Sequence, residues 1–265
     1  MIKSLFLSIM AIWLLSWPAG LMAQIPQPFL KGLKSPVGLA YDRQGNLYVA
    51  EWGGDQVSRF DPQGRRSLVT GEIKSPAGLA FDPDGNLFIA SYADDSIYCL
   101  APGGGLRKVA GGLASPTGLL WTRTNELLVA NRNAGEGVKL GPGGRKKVLS
   151  GGHPTPVGLA QTKSGLIFIS CYGGQVDLID PTGKKIRSIT SLKTPGVGIV
   201  DDDEEVLLVD YGAGTVSELK ADGRTRPLVS GLNSPAALVR APGGRFLVGT
   251  WGDGALFSFS RRPEL

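Results

Sequence analysis

The chain has 265 residues, 42% of them hydrophobic, with 39 glycines, two cysteines and a single histidine. Two cysteines allow at most one disulfide, and one histidine rules out any site built from several. The formal net charge is +5, but the basic residues are dispersed along the chain, and a dispersed charge sets nucleic acid aside as a partner.

Residues 1–23 read as a secretory leader: Lys3, an apolar run from Leu5 to Trp17, then Pro18, Gly20 and the small Ala23 before a cut ahead of Gln24. The run is short for a spanning helix and is broken by Pro18 and Gly20, which favours cleavage over retention as an anchor. Cleavage removes Lys3 and leaves +4, with no transmembrane segment in the remainder. No cysteine lies near the cut to carry a lipid. Residues 24–265 are thus expected outside the cytoplasm, in the periplasm or secreted.

From residue 28 onward the chain repeats. Aligning on Pro36, Pro76, Pro116, Pro156, Pro195 and Pro235 gives a period of 40 residues with one interval of 39, the mark of a stacked array of identical units. After each proline comes a first apolar run (VGLAYD, AGLAFD, TGLLWT, VGLAQT, GVGIVD, AALVRA) and a turn such as DRQGN or DPDGN, whose Gly, Asn and Asp tolerate the positive φ of a tight hairpin. A second run follows (LYVA, LFIA, LLVA, IFIS, LLVD, FLVG), rich in β-branched and aromatic residues. A third (VSRF, IYCL, VKL, VDLI, VSEL, LFSF), a Gly turn and a short fourth (SLVTG, KVAGG, PLVSG) complete the unit. Four short antiparallel strands in this length describe a propeller blade, so the chain is predicted to be all-β, a six-bladed β-propeller spanning 24–265.

The ends predict how the ring closes. PFLKGLKSP before Pro36 matches PLVSGLNSP before Pro235, while the last unit stops after its third strand. Phe29 to Leu33 is therefore expected to supply the outermost strand of blade six, which pairs an edge otherwise left open.

Other features read as structural. Cys99 and Cys171 fall in blades two and four, too far apart for a disulfide, and are expected as buried small side chains. A nucleophilic Cys171 would need a histidine, which the repeat alignment does not bring to it. Arg65, Arg66, Lys184, Lys185, Arg187, Arg224 and Arg226 sit in third turns and fourth strands, where charge discourages edge pairing. Asp201 to Glu205 is predicted as a solvated hairpin turn, since it lacks the spaced ligands of a calcium loop.

Function in this architecture concentrates on the loops joining second to third strands and blade to blade. At the exits of the second strands stand Glu51, Ser91, Asn131, Cys171, Asp210 and Thr250, and at the next position Trp52, Tyr92, Arg132, Tyr172, Tyr211 and Trp251. Between blades lie Lys34, Lys74, His153, Lys193 and Asn233. Two readings of the first set stand side by side. Glu51, Asn131 and Asp210 could face the axis and hold a divalent cation, calcium or magnesium, through oxygen ligands; or each could bond loop amides. The second set could form a stacking platform for a sugar or peptide side chain, or pack blade on blade.

LYVAEWGGDQVSRFDPQG and LFIASYADDSIYCLAPGG resemble NHL-type repeats, and more closely the repeats of virginiamycin B lyase-like (streptogramin lyase) propellers. The PxGLAxDxxGNL strands resemble the regucalcin/gluconolactonase group more distantly. The first resemblance implies a lyase working with histidines and a metal, against which this chain has His153 alone. The second implies a divalent ion held by Glu, Asn and Asp just after the proline, where this chain carries Val37, Ala77, Thr117, Val157, Gly196 or Val197, and Ala236. The expectation is a monomeric exported propeller that binds a protein, peptide or glycan through Glu51, Trp52, Asn131, Arg132, Asp210, Tyr211 and Trp251. The alternative is a lyase or lactonase-type hydrolase with Glu51 and Asp210 as acid and base, assisted by a metal.

Overall fold

The structure is a computed structural model and describes residues 27–261; the leader expected at 1–23 and its cut lie outside the described residues. Among the described residues, twenty-four strands form six four-stranded antiparallel sheets set around one axis. In blade one they run Pro36–Tyr41, Leu47–Glu51, Gln56–Phe60 and Arg66–Thr70 from the axis outward, and blades two to five repeat that order. No helix among the described residues is long and apolar enough to cross a membrane.

The local sequence explains the repetition. In the first hairpin Asp42 Oδ1 accepts the amides of Gln44 and Asn46 at 3.0 and 2.8 Å, and Gly45 supplies a φ of 81°. Asp82 does the same for Asp84 and Asn86 in blade two. The second strands are buried on both faces, with Val49, Ile89, Val129, Ile169, Leu208 and Val248 fully enclosed between neighbouring sheets.

A glycine two residues after the proline brings the innermost strands together. A Cβ at Gly38 would lie 2.0 Å from the Ala77 carbonyl oxygen, and one at Gly78 2.3 Å from that of Thr117. Gly118 and Gly158 repeat the contact. The absent side chains let backbone approach backbone around the axis, leaving a cavity of about 180 Å³ bordered by Leu39, Leu79, Leu119, Leu159, Ile199 and Asp201.

The ring closes as expected, with a strand slightly shorter than predicted. Pro28–Leu30 pairs antiparallel with Ala255–Phe259 as the outermost strand of blade six. Beyond it the Leu33 amide donates to the Gly254 carbonyl at 2.9 Å, and the Leu33 side chain is buried.

The acidic run is more than a solvated turn. Asp203 and Glu204 form the turn proper, but Asp202 is buried and bonds Arg240 and Arg261, while Glu205 bonds Lys220 and Arg261. Arg261 also reaches Glu218 at 2.8 Å, so the end of the last strand is clamped to blade five. The rim cations likewise do more than guard edges. Arg66, Lys185 and Arg226 each reach back to a buried carboxylate, Glu51, Asp177 and Glu218 respectively.

Candidate functional site

The loop between blades and the end of the second strand hold each other. Glu51 Oε2 accepts the Lys34 amide at 2.9 Å, and Asn131 Oδ1 accepts that of Ala114 at 2.6 Å. Asp210 accepts the amides of Lys193, Thr194 and Ala213 at 2.8, 2.9 and 3.1 Å. In return the loop holds the strand: the amides of Trp52, Tyr92, Tyr172, Tyr211 and Trp251 donate to the carbonyls of Ser35, Ser75, Thr155, Thr194 and Ser234 at 2.9–3.2 Å. Four of those carbonyl residues, Ser35, Ser75, Thr155 and Ser234, carry φ between 45 and 56°, a conformation costly for a side-chain-bearing residue. That strain is held at the base of Trp52, Tyr92, Tyr172 and Trp251.

These five aromatic residues and Arg132 close a ring. Trp52 lies 4.5 Å from Tyr92 and 6.1 Å from Trp251, centroid to centroid; Trp251 is 6.2 Å from Tyr211, and Tyr211 is 6.1 Å from Tyr172. Arg132 fills the remaining gap, its guanidinium 5.7 Å from the Tyr92 ring and 5.8 Å from the Tyr172 ring, and its Nη1 donates to the Tyr92 hydroxyl at 3.0 Å. Each contact joins one blade to the next, so packing and platform are the same residues. Tyr172 is 43% exposed and the others are half-buried, which leaves ring faces available at the mouth. The Trp251 indole N–H is buried and has no hydrogen-bond partner. Trp52, Tyr211 and Trp251 pack against the core cluster that includes Val37, Ala77 and Ala236.

The remaining predicted residues lie behind the ring, each in its own blade. Glu51, Asn131 and Asp210 are buried. Glu51 also accepts from Gln56 and Ser58 and pairs with Arg66. Burial pushes its carboxyl up, but the hydrogen bonds from Ser58, Gln56, the Lys34 amide and Arg66 more than offset this and hold its pKa below the ordinary glutamate value. As placed, with their oxygens turned to their own loops, the three do not fit a shared calcium or magnesium ion. The slots just after the proline are filled by buried Val37, Ala77, Thr117, Val157 and Ala236.

Blade four corrects the expectation that Cys171 has no histidine near it. GHPTP sets Pro154, not His153, in the place of Lys34, so His153 falls where the other blades carry Leu33, Ile73, Leu113, Leu192 and Leu232 and turns into the interior. Its Nδ1 lies 2.6 Å from Asp177 Oδ2, and the ligand atoms of His153, Cys171 and Asp177 all lie within 4.8 Å of one another. All three side chains are buried, and His153 Nε2 has no partner. Burial, and secondarily the Asp177 charge, push the Cys171 thiol up to about 12, which bars it from acting as a nucleophile. Burial also opposes ionisation of Asp177, but His153, Ser188 and Lys185 hold its carboxyl well below the usual range. Counting three residues back from each proline would have found this histidine in a leucine slot.

Neither a protein-family profile nor a curated protein sequence matches the chain. Solved structures match its fold. Virginiamycin B lyase from Staphylococcus aureus superposes with a TM-score of 0.68 at 12% identity, covering 86% of this chain and 84% of that one. A gluconolactonase from Xanthomonas campestris gives 0.74 at 14%, covering 87% of both. The PQQ-bound aldose sugar dehydrogenase from Streptomyces coelicolor gives 0.71 at 16%, covering 88% and 96%. The chain thus shares the six-bladed propeller of lyase, lactonase and sugar dehydrogenase structures, a likeness of fold on which unrelated functions are built.

Proposed function

We propose that this chain is an exported binding module whose loop face takes a glycan or peptide at the ring of Trp52, Tyr92, Arg132, Tyr172, Tyr211 and Trp251. The observation that carries the reading is the closure of that ring, because five aromatic faces beside one guanidinium suit a ligand with flat, weakly polar faces and a negative group. Glu51, Asn131 and Asp210 act from behind, holding the loops that set the ring. The ligand is a non-nucleic-acid one, and the module works as a monomer.

The enzymatic alternative, a lyase or lactonase-type hydrolase using Glu51 and Asp210, requires both carboxylates to leave the loop amides they hold. Its support is the kinship of fold with lyase, lactonase and PQQ-bound dehydrogenase structures. Screening the mature chain against arrayed glycans and peptides, beside Trp251→Ala and Arg132→Ala, tests the binding reading. Hits lost in both variants support it, and hits indifferent to both overturn it.

A further inference from the structure

Blade four carries a feature that the ring does not use. Its loop, second strand and third strand bring an imidazole, a thiol and a carboxylate within 4.8 Å of one another, all buried. The other blades show that the fold itself asks for none of these groups. The histidine slot holds leucine or isoleucine, the cysteine slot holds Glu51, Ser91, Asn131, Asp210 or Thr250, and the aspartate slot holds Ser58, Tyr98, Val138, Ser217 or Phe257. A leucine at 153 would bury cleanly, whereas the histidine, though its Nδ1 meets Asp177, leaves Nε2 enclosed and without a partner, a costly arrangement for a buried polar atom.

We propose that His153, Cys171 and Asp177 form a buried binding site for a zinc ion. Nitrogen, sulfur and oxygen donors in one cluster suit zinc, which accepts all three, whereas calcium and magnesium prefer oxygen alone. The surroundings supply the outer support that metal ligands require. Asp177 Oδ1 is oriented by Gln175 Nε2 at 2.9 Å and by the Ser188 hydroxyl, while Oδ2, which meets His153 Nδ1 at 2.6 Å, exchanges that bond for the ion when zinc enters. Lys185, which pairs with Oδ2 at 3.0 Å from a third-exposed position at the rim, can swing into solvent and open the way in. Zinc binding displaces the thiol proton to solvent, and thiolate and carboxylate then balance the dication. The site lies apart from the ring and stands whether or not the ring binds a ligand.

The test uses the reduced mature chain, freed of metal with a chelator, and titrates zinc and then cobalt(II). The expected result is one equivalent bound per chain, a thiolate-to-cobalt charge-transfer band, and a zinc-dependent rise in Tm. His153→Leu, which installs the residue of the other blades and is expected to fold, should lose the Tm response and weaken zinc binding by roughly 100-fold. Cys171→Ala should abolish the cobalt band, and Glu51→Gln should retain stoichiometric binding. Failure of the parent chain to take up stoichiometric zinc overturns the proposal, as does binding that survives both His153→Leu and Cys171→Ala.

Discussion

Pro154 and Cys171 stand where blades one, three and five join a loop amide to a strand-end side chain, and neither has the group that this bond requires. Lys34 donates to Glu51, Ala114 to Asn131 and Lys193 to Asp210. Proline has no N–H to give, and the Cys171 thiol instead points to the Ile169 carbonyl at 3.6 Å. The two departures compensate each other, which makes them separable by experiment. Pro154→Ala alone is expected to bury an unpaired amide and cost about 1–2 kcal/mol, and Cys171→Asn alone to bury an unpaired amide side chain at similar cost. The double variant should recover much of the loss through the hydrogen bond seen in blade three. Urea unfolding of the four chains gives the coupling, and additive losses would contradict the pairing.

Glu51 should make stability depend on pH. Its folded-state pKa is depressed, so its contribution is present above the unfolded value of about 4.3 and is lost as the pH falls through the lower folded value. Glu51→Gln leaves Arg66 without its partner and is expected to cost about 1–3 kcal/mol at neutral pH. The gap between variant and parent should narrow below a pH of about 4. A gap constant from neutral pH to acid would mean that the carboxylate charge is not what stabilises the blade.

The N-terminal strand should matter more than an ordinary terminus. Removing residues 24–34 deletes the strand paired with Ala255–Phe259 and the buried Leu33, exposing a sheet edge. Tm is expected to fall by about 5–10 °C. An unchanged Tm would contradict closure of the ring by this segment.

Arg261 closes the other end. It bonds Asp202, Glu205 and Glu218 of blade five, all at least partly buried. Arg261→Ala is expected to lower Tm by about 3–6 °C, whereas Arg65→Ala, whose side chain is 79% exposed beside Asp61, should change it little. Equal effects of the two would show that the clamp carries no special weight.

The parts of this structure legible in the sequence are those written once per repeat. The prolines at 40-residue spacing, the Asp–Gly turns and the second-strand runs recur, so six blades and their closure followed from pattern alone. The mouth was legible as positions, because Trp52 and its five counterparts share one slot. What pattern could not supply was side-chain direction. Glu51 and Asp210 turn to amides 17 residues back in the chain, and no periodicity distinguishes that from turning to the axis. In blade four the signal lies in spacing rather than residue type: His153 is polar like Lys34, yet its distance from Pro156 matches that of Leu33 from Pro36.

The binding reading is tested most directly by the indole N–H resonances of the ¹⁵N-labelled mature chain during titration with a ligand from the array screen. Three tryptophans follow the leader. Trp52 and Trp251 sit side by side in the ring, whereas the Trp121 indole donates to Asn125 in a first-to-second-strand hairpin on the opposite face. The expected result is that the Trp52 and Trp251 signals move with ligand while Trp121 stays still. Movement of Trp121 with the other two unmoved would contradict the placement of the binding surface at the mouth.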